Sequence, residues 1–233
     1  MARQDPDIPD IPGFSGGIEE TEPRLDRAQI AQAALDLLDE QGFDAFSMRK
    51  LAVALGIKSP SLYWHVRGKD ELFDLLIDVV VGKCPLSGDD GRPWEERLVG
   101  IGLELRQVLL AHPAATRLLP GRVPFGPNGL RLADHIIGIL RQAGFDNRLS
   151  GYGYLLLLFY VVGFAGQEIA FGKGPENHAR LSQITGFLRD LPADRYPHLA
   201  AVADELTARP GLTHRFELGL VGILGELDRR RLE

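Results

Sequence analysis

The eight residues from Ser59 to Val66 read SPSLYWHV and carry three hydroxyls, an indole and an imidazole. If Leu62 and Val66 turn inward, the polar tips of Ser59, Ser61, Tyr63, Trp64 and His65 are free to face outward. Such groups bond to phosphates and base edges, and the N-terminal end of a recognition helix is what enters a DNA groove. Trp64 alone has a second reading, as a ring packed into the domain core. The surrounding charge favours the nucleic-acid reading. The 233-residue chain has a net charge of −6, yet residues 45–69 hold no Asp or Glu and carry Arg49, Lys50, Lys58, Arg67 and Lys69. A basic island on an acidic chain is an electrostatic footprint for phosphate.

These residues need short helices to hold them. Asp26 is a candidate N-cap, followed by Ile30, Ala33, Ala34, Leu37 and Leu38 on one helical stripe, with Gly42 as the stop. Ser47 caps a second helix whose inner face is Met48, Leu51, Ala52 and Leu55, ended by Gly56. Ser59 and Pro60 signal a third, with a hydroxyl cap and a proline at the first helical position. A fourth runs from Lys69 to Val80. Two short helices joined by Gly56-Ile57-Lys58 match a helix-turn-helix. Residues 1–23, with four prolines, three glycines and six acids, read as a disordered acidic tail. Residues 24–81 then form the DNA-binding domain with its connecting helix, and the turn-rich 82–93 a linker. Residues 94–233 form a second domain with helices expected over 94–111, 129–143, 149–171, 178–190, 193–208 and 213–231. No hairpin pattern stands out, so the expected fold is all-α.

Residues 25–77, and SLYWHVRGKDELFDLL above all, resemble the N-terminal domain of the TetR family. KCPLSGDDGRPWEERL resembles the linker and next helix of the tetracycline repressors, and LRQVLLAHP and RQAGF have counterparts there too. The resemblance implies that Ser47 bonds a phosphate and that Arg49 reaches base edges, its fork matching guanine O6 and N7. It implies contacts to bases and backbone from Ser59, Pro60, Ser61, Tyr63, Trp64 and His65, and a phosphate partner for Lys69. The partner is then double-stranded operator DNA, bound by a homodimer, with a small-molecule effector releasing it. A repressor is the leading expectation. An activator, or a ligand-binding protein without a repressor role, is the alternative.

The last helix offers a dimerisation surface. Leu220 and Ile223 belong to an apolar stripe, and Gly219, Gly222 and Gly225 form a small-residue ridge at spacing three. Close approach of a second subunit would offset the weak helix propensity of three glycines; a tight contact within the chain would do so equally. By family analogy the helix containing Leu158 is the other partner element. A gapless match to the tetracycline receptors puts Leu119 where they have a metal-binding histidine and Ile101 where they have a ligand-contacting asparagine. The expected pocket is therefore largely apolar, lined by Ile101, Leu105, Leu109, Leu119 and Phe125, with His135, Gln167 and Glu168 as polar contacts. The same positions also read as ordinary core. The six histidines show no metal spacing, and no cofactor is expected. Neither a P-loop, a dinucleotide fingerprint nor a G-x-S-x-G elbow is present, so no enzyme is expected. The lone Cys84 suits a reducing cytoplasm. The apolar run 151–166 is short, holds four glycines, and reads as a helix buried on all sides rather than a membrane span.

Overall fold

The structure is a computed structural model and describes residues 26–86, 88, 90–172, 174–208 and 211–233; the acidic tail expected over 1–23 lies outside them. Among the described residues there are twelve helices and no strand, so the fold is all-α.

α1 (Arg27–Gln41) begins where local chemistry dictates. The Asp26 carboxylate accepts from the Ala28 amide at 3.2 Å, and Gln29 Oε1 accepts from the Asp26 amide at 3.0 Å. Its buried stripe is wider than the periodicity suggests, because Ala31 and Leu35 are fully buried beside Ile30, Ala34 and Leu38. α2 (Met48–Ala54) is capped by Ser47, whose Oγ accepts from the Lys50 amide at 3.2 Å. The chain then turns at Gly56, with φ +68°, a conformation that disfavours any side chain. α3 (Ser59–Leu62) is one turn long and starts one residue earlier than expected. Lys58 holds the cap position, Ser59 is already helical, and no side chain caps the helix. Leu62 and Val66 are both fully buried and bolt α3 to the core.

α4 (Lys69–Gly82) packs on α1 and also on α5 (Trp94–Ala111), α6 (Pro113–Thr116) and α7 (Pro127–Gln142). Cys84, at the start of the expected linker, is buried beside it. α8 (Asn147–Phe171) packs on α5, α7 and α12 (Leu212–Arg231). By length and composition α8 could cross a membrane, but only 28% of its most apolar window is buried within the chain. The expectation of burial on all sides is therefore corrected. Leu157, Leu158, Val161 and Ala165 face inward, while Leu155, Leu156 and Phe159 face solvent. A helix of nearly uniform apolarity hides its two faces from any periodicity test. The single helix expected over 193–208 is also corrected. Pro197, which cannot sit inside a helix, starts α10 (Pro197–Ala201) instead. Val202 then leaves helical geometry before α11 (Ala203–Thr207). Both pack on α9 (Pro175–Arg189), making a side lobe.

Three polar contacts tie α1 and α4 to the C-terminal helices. His112 Nδ1 lies 2.8 Å from Asp39 Oδ2. The Arg122 guanidinium donates to Asp70 and to Asp74, both at 2.6 Å. Asp78, buried in α4, accepts from the amides of Asn128 and Gly129 and from Asn128 Nδ2 at 2.9–3.0 Å, so a carboxylate on one helix caps the start of another. Burial raises the Asp78 pKa above the usual carboxylate range, while these bonds oppose the rise. Asp78→Ala leaves two amides at the α7 N-terminus without their acceptor. The expected loss is about 1–3 kcal/mol in urea unfolding; unchanged stability would mean that water replaces the carboxylate at no cost.

Candidate nucleic-acid interface and ligand cavity

The basic stretch presents its functional groups outward. Arg49, Pro60 and Ser61 are exposed, Ser47, Ser59 and His65 half-buried, and Tyr63 is 50% exposed. Trp64 is 88% exposed, which removes the core-packing reading: Leu62 and Val66 fill the core instead. Ser47 Oγ is engaged as an acceptor, leaving its proton to donate. Lys50 is turned back, its Nζ bonded to Gln41 Oε1 and the Ala45 carbonyl. Lys69 Nζ lies 5.6–5.7 Å from the ring centres of Phe43, Phe46 and Phe73, and is exposed among them. Three ring faces hold the ammonium at the start of α4 without neutralising it. Glu71 fixes the neighbouring turn, accepting from the Arg67 amide at 2.6 Å and pairing with Arg27 of α1.

The residues expected to line one pocket do not meet in one cavity. Leu105, Leu109 and Leu119 are buried core positions that line neither cavity described here. Phe125 is 55% exposed on the loop before α7. Ile101 and His135 border a small cavity of ≈ 150 Å³, walled also by Arg92, Arg97 and Glu104. There His135 Nε2 is buried without a hydrogen-bond partner among the described residues. Gln167 and Glu168 border a larger groove of ≈ 470 Å³ between α8 and the α9–α11 lobe. Phe159, Tyr160, Phe164 and Phe171 give that groove an aromatic wall. A gapless match carries position along the chain but not packing, and small shifts between helices close one space while opening another.

Glu168 is not a free ligand contact. Both its oxygens accept from Arg106, at 2.8 and 2.9 Å, and Arg106 also donates to Thr213 Oγ1 at 3.3 Å. The Arg106 guanidinium carbon lies 5.2 Å from the Phe216 ring centre and 5.8 Å from that of Phe164. This pair joins α5, α8 and α12 behind the groove. Sequence reasoning missed it, although an arginine on the inner stripe of α5, between Leu105 and Leu109, was a usable signal.

The expected dimer residues also divide. Leu220 is fully buried, with its methyl group against Gly102 of the same chain, and Leu158 is buried; both serve the internal core. Gly219 lies against the Tyr160 ring, an intramolecular contact. A Cβ at Gly222 or Gly225 would meet nothing within 4 Å, so only this part of the ridge is open. Gly222 and Ile223 border a groove shared by α8 and α12 that also includes Tyr152 and Leu156.

A short helix-turn-helix beside a helical body that holds a groove and a small cavity is the arrangement of a DNA-binding transcriptional regulator with a ligand-binding domain. Residues 30–76 match the model of the bacterial regulatory proteins of the tetR family, and residues 85–229 that of the tetracyclin repressor-like C-terminal domain. The chain belongs to the TetR family of transcriptional regulators. It is 37% identical over 180 residues to an HTH-type transcriptional regulator of Saccharopolyspora erythraea, covering 77% of this chain and 75% of the relative. It is 31% identical to the class A tetracycline repressor protein from transposon 1721 in Escherichia coli, covering 90% and 93%. Among solved structures, that of the Streptomyces coelicolor TetR family protein ActR in complex with actinorhodin superposes with a TM-score of 0.81 at 34% identity, covering 90% of this chain and all of that one.

Proposed function

We propose that the chain is a homodimeric repressor that binds a palindromic operator through Ser47–Lys69 and is released by a small, largely apolar ligand. The observation that carries the reading is the acid-free basic stretch, whose Arg49, Ser61, Tyr63 and Trp64 are exposed together with the caged Lys69 ammonium. The ligand site is assigned to the aromatic groove between α8 and the lobe. Its ≈ 470 Å³ falls within the roughly 300–1,000 Å³ of small-molecule sites. An effector must favour the DNA-incompetent arrangement by differential affinity, since equal affinity shifts nothing. The three bonded contacts from α1 and α4 offer the route by which the body would move the recognition helices.

Selection from random-sequence duplex DNA should enrich a two-fold palindrome, and titration of the complex with a panel of small hydrophobic aromatic compounds should release it. Release by tetracycline with Mg²⁺ alone, abolished by EDTA, would overturn the apolar-ligand reading; enrichment of no sequence would overturn the operator reading. Lys69→Ala should weaken binding to all operators similarly and lower the salt slope by about one. An unchanged slope removes Lys69 from the phosphate contacts.

A further inference from the structure

We propose that the acidic segment at residues 5–14 docks in cis on the exposed face of α2 and α3 and competes with DNA for it; only the competition rests on the operator reading above. The face has two components that an occupant must match. Arg49, Lys58 and Lys69 are exposed cations at the ends of a stretch, 45–69, that holds no acid. Among them stand apolar groups that meet water directly: Val53 is 73% exposed, Tyr63 50% and Trp64 88%. Arg49 and Val53 are four positions apart on α2 and so share one side of that helix.

The sequence before α1 carries the complementary chemistry. Residues 1–23 hold six acids against one arginine, and DPDIPDIPGF at 5–14 sets Asp5, Asp7 and Asp10 among the apolar Ile8, Ile11 and Phe14. Carboxylates there stand in for phosphates opposite the cations, while the isoleucines and the phenylalanine cover Val53 and Trp64. The point of attachment is close by. The chain enters α1 at Asp26; the next residue, Arg27, pairs with Glu71, whose second oxygen accepts from the Arg67 amide at 2.6 Å. The twelve steps from Phe14 to Asp26 span up to ~40 Å, more than the ~25 Å width expected of a head of this size. Tethering at such a length gives an effective concentration on the order of 1 mM, so an intrinsic Kd of ~0.1 mM would cover the face about 90% of the time and lower DNA affinity about tenfold.

The test uses the full-length chain, a labelled DNA duplex of arbitrary sequence, and helix content as the folding control. One variant, Asp5→Asn/Asp7→Asn/Asp10→Asn, removes the charge; another, Ile8→Ser/Ile11→Ser/Phe14→Ser, keeps it. Each should bind duplex about threefold to tenfold more tightly than the parent at low salt, and the gain of the first should shrink as salt screens the attraction. Tightening in the charge variant alone would be a long-range effect of net charge and would overturn docking, as would no change in either. Quenching of tryptophan emission by acrylamide gives a readout without DNA. Of the two tryptophans, Trp94 is half-buried against Phe145 and untouched by either variant, so a difference reports Trp64. Both variants should be quenched more readily than the parent; equal quenching would overturn docking on this face. Shielding that fades on dilution would put the segment on another copy and overturn docking in cis. Duplex bound by neither parent nor variants would overturn the operator reading, while quenching still decides whether the segment docks.

Discussion

Arg106→Ala should be the most damaging single change in the C-terminal body, costing about 3–5 kcal/mol in urea unfolding. The guanidinium is 3% exposed and the Glu168 carboxylate 12%, so removing the cation strands an anion with little access to water. A buried pair broken on one side typically costs that much, because the remaining charge keeps its desolvation penalty and loses its partner. Two ring contacts and the bond to Thr213 go with it. The double variant Arg106→Met/Glu168→Leu removes both charges and should recover most of the loss, since apolar replacement of a whole buried pair is often neutral. The measurement is a double-mutant cycle by denaturant unfolding. If Arg106→Ala loses less than about 1 kcal/mol, water reaches Glu168 through the groove and the pair is effectively a surface one.

Arg49→Ala should weaken operator binding by about 1–3 kcal/mol, concentrated at particular base pairs rather than spread over the site. Arg49 is exposed beside the N-terminus of α2, and no acidic residue lies within the 45–69 stretch to hold its fork elsewhere. Its five donors suit two acceptors on one guanine edge, so loss of the fork relaxes preference at that position. Binding measured against a set of single-base operator variants distinguishes this from a phosphate contact. A uniform loss over all variants, with a lower salt slope, would assign Arg49 to the backbone instead.

What the sequence made legible was local. Asp26 and Ser47 cap as expected because a cap depends on residues two or three positions away. The buried Leu62 and Val66 and the glycine turn at Gly56 follow from the same short-range logic. What stayed hidden was set by contacts distant in the chain. Arg106 meets Glu168 across 62 positions, and Asp78 meets Asn128 across 50. The choice between pocket and core was closed to the sequence for the same reason: Leu105, Leu109 and Leu119 are apolar whether they line a cavity or fill one, and only the helix spacing buries them in the core. Leu158 and Leu220 likewise carry the side chain of an interface residue but lie on the inner face of their helices.

The shared position of α4 bears on how such a protein can be taken apart and recombined. It packs on α1 within the recognition head and on α5, α6 and α7 of the body, and its Asp70, Asp74 and Asp78 are bonded to the body. A head excised at residues 82–93 would carry away a helix with one apolar side bared and three carboxylates stripped of their partners. The break in the chain and the break in cooperativity therefore fall in different places. A chimera that joins this head to a foreign body would need to bring the matching Arg122, Asn128 and Gly129 with it.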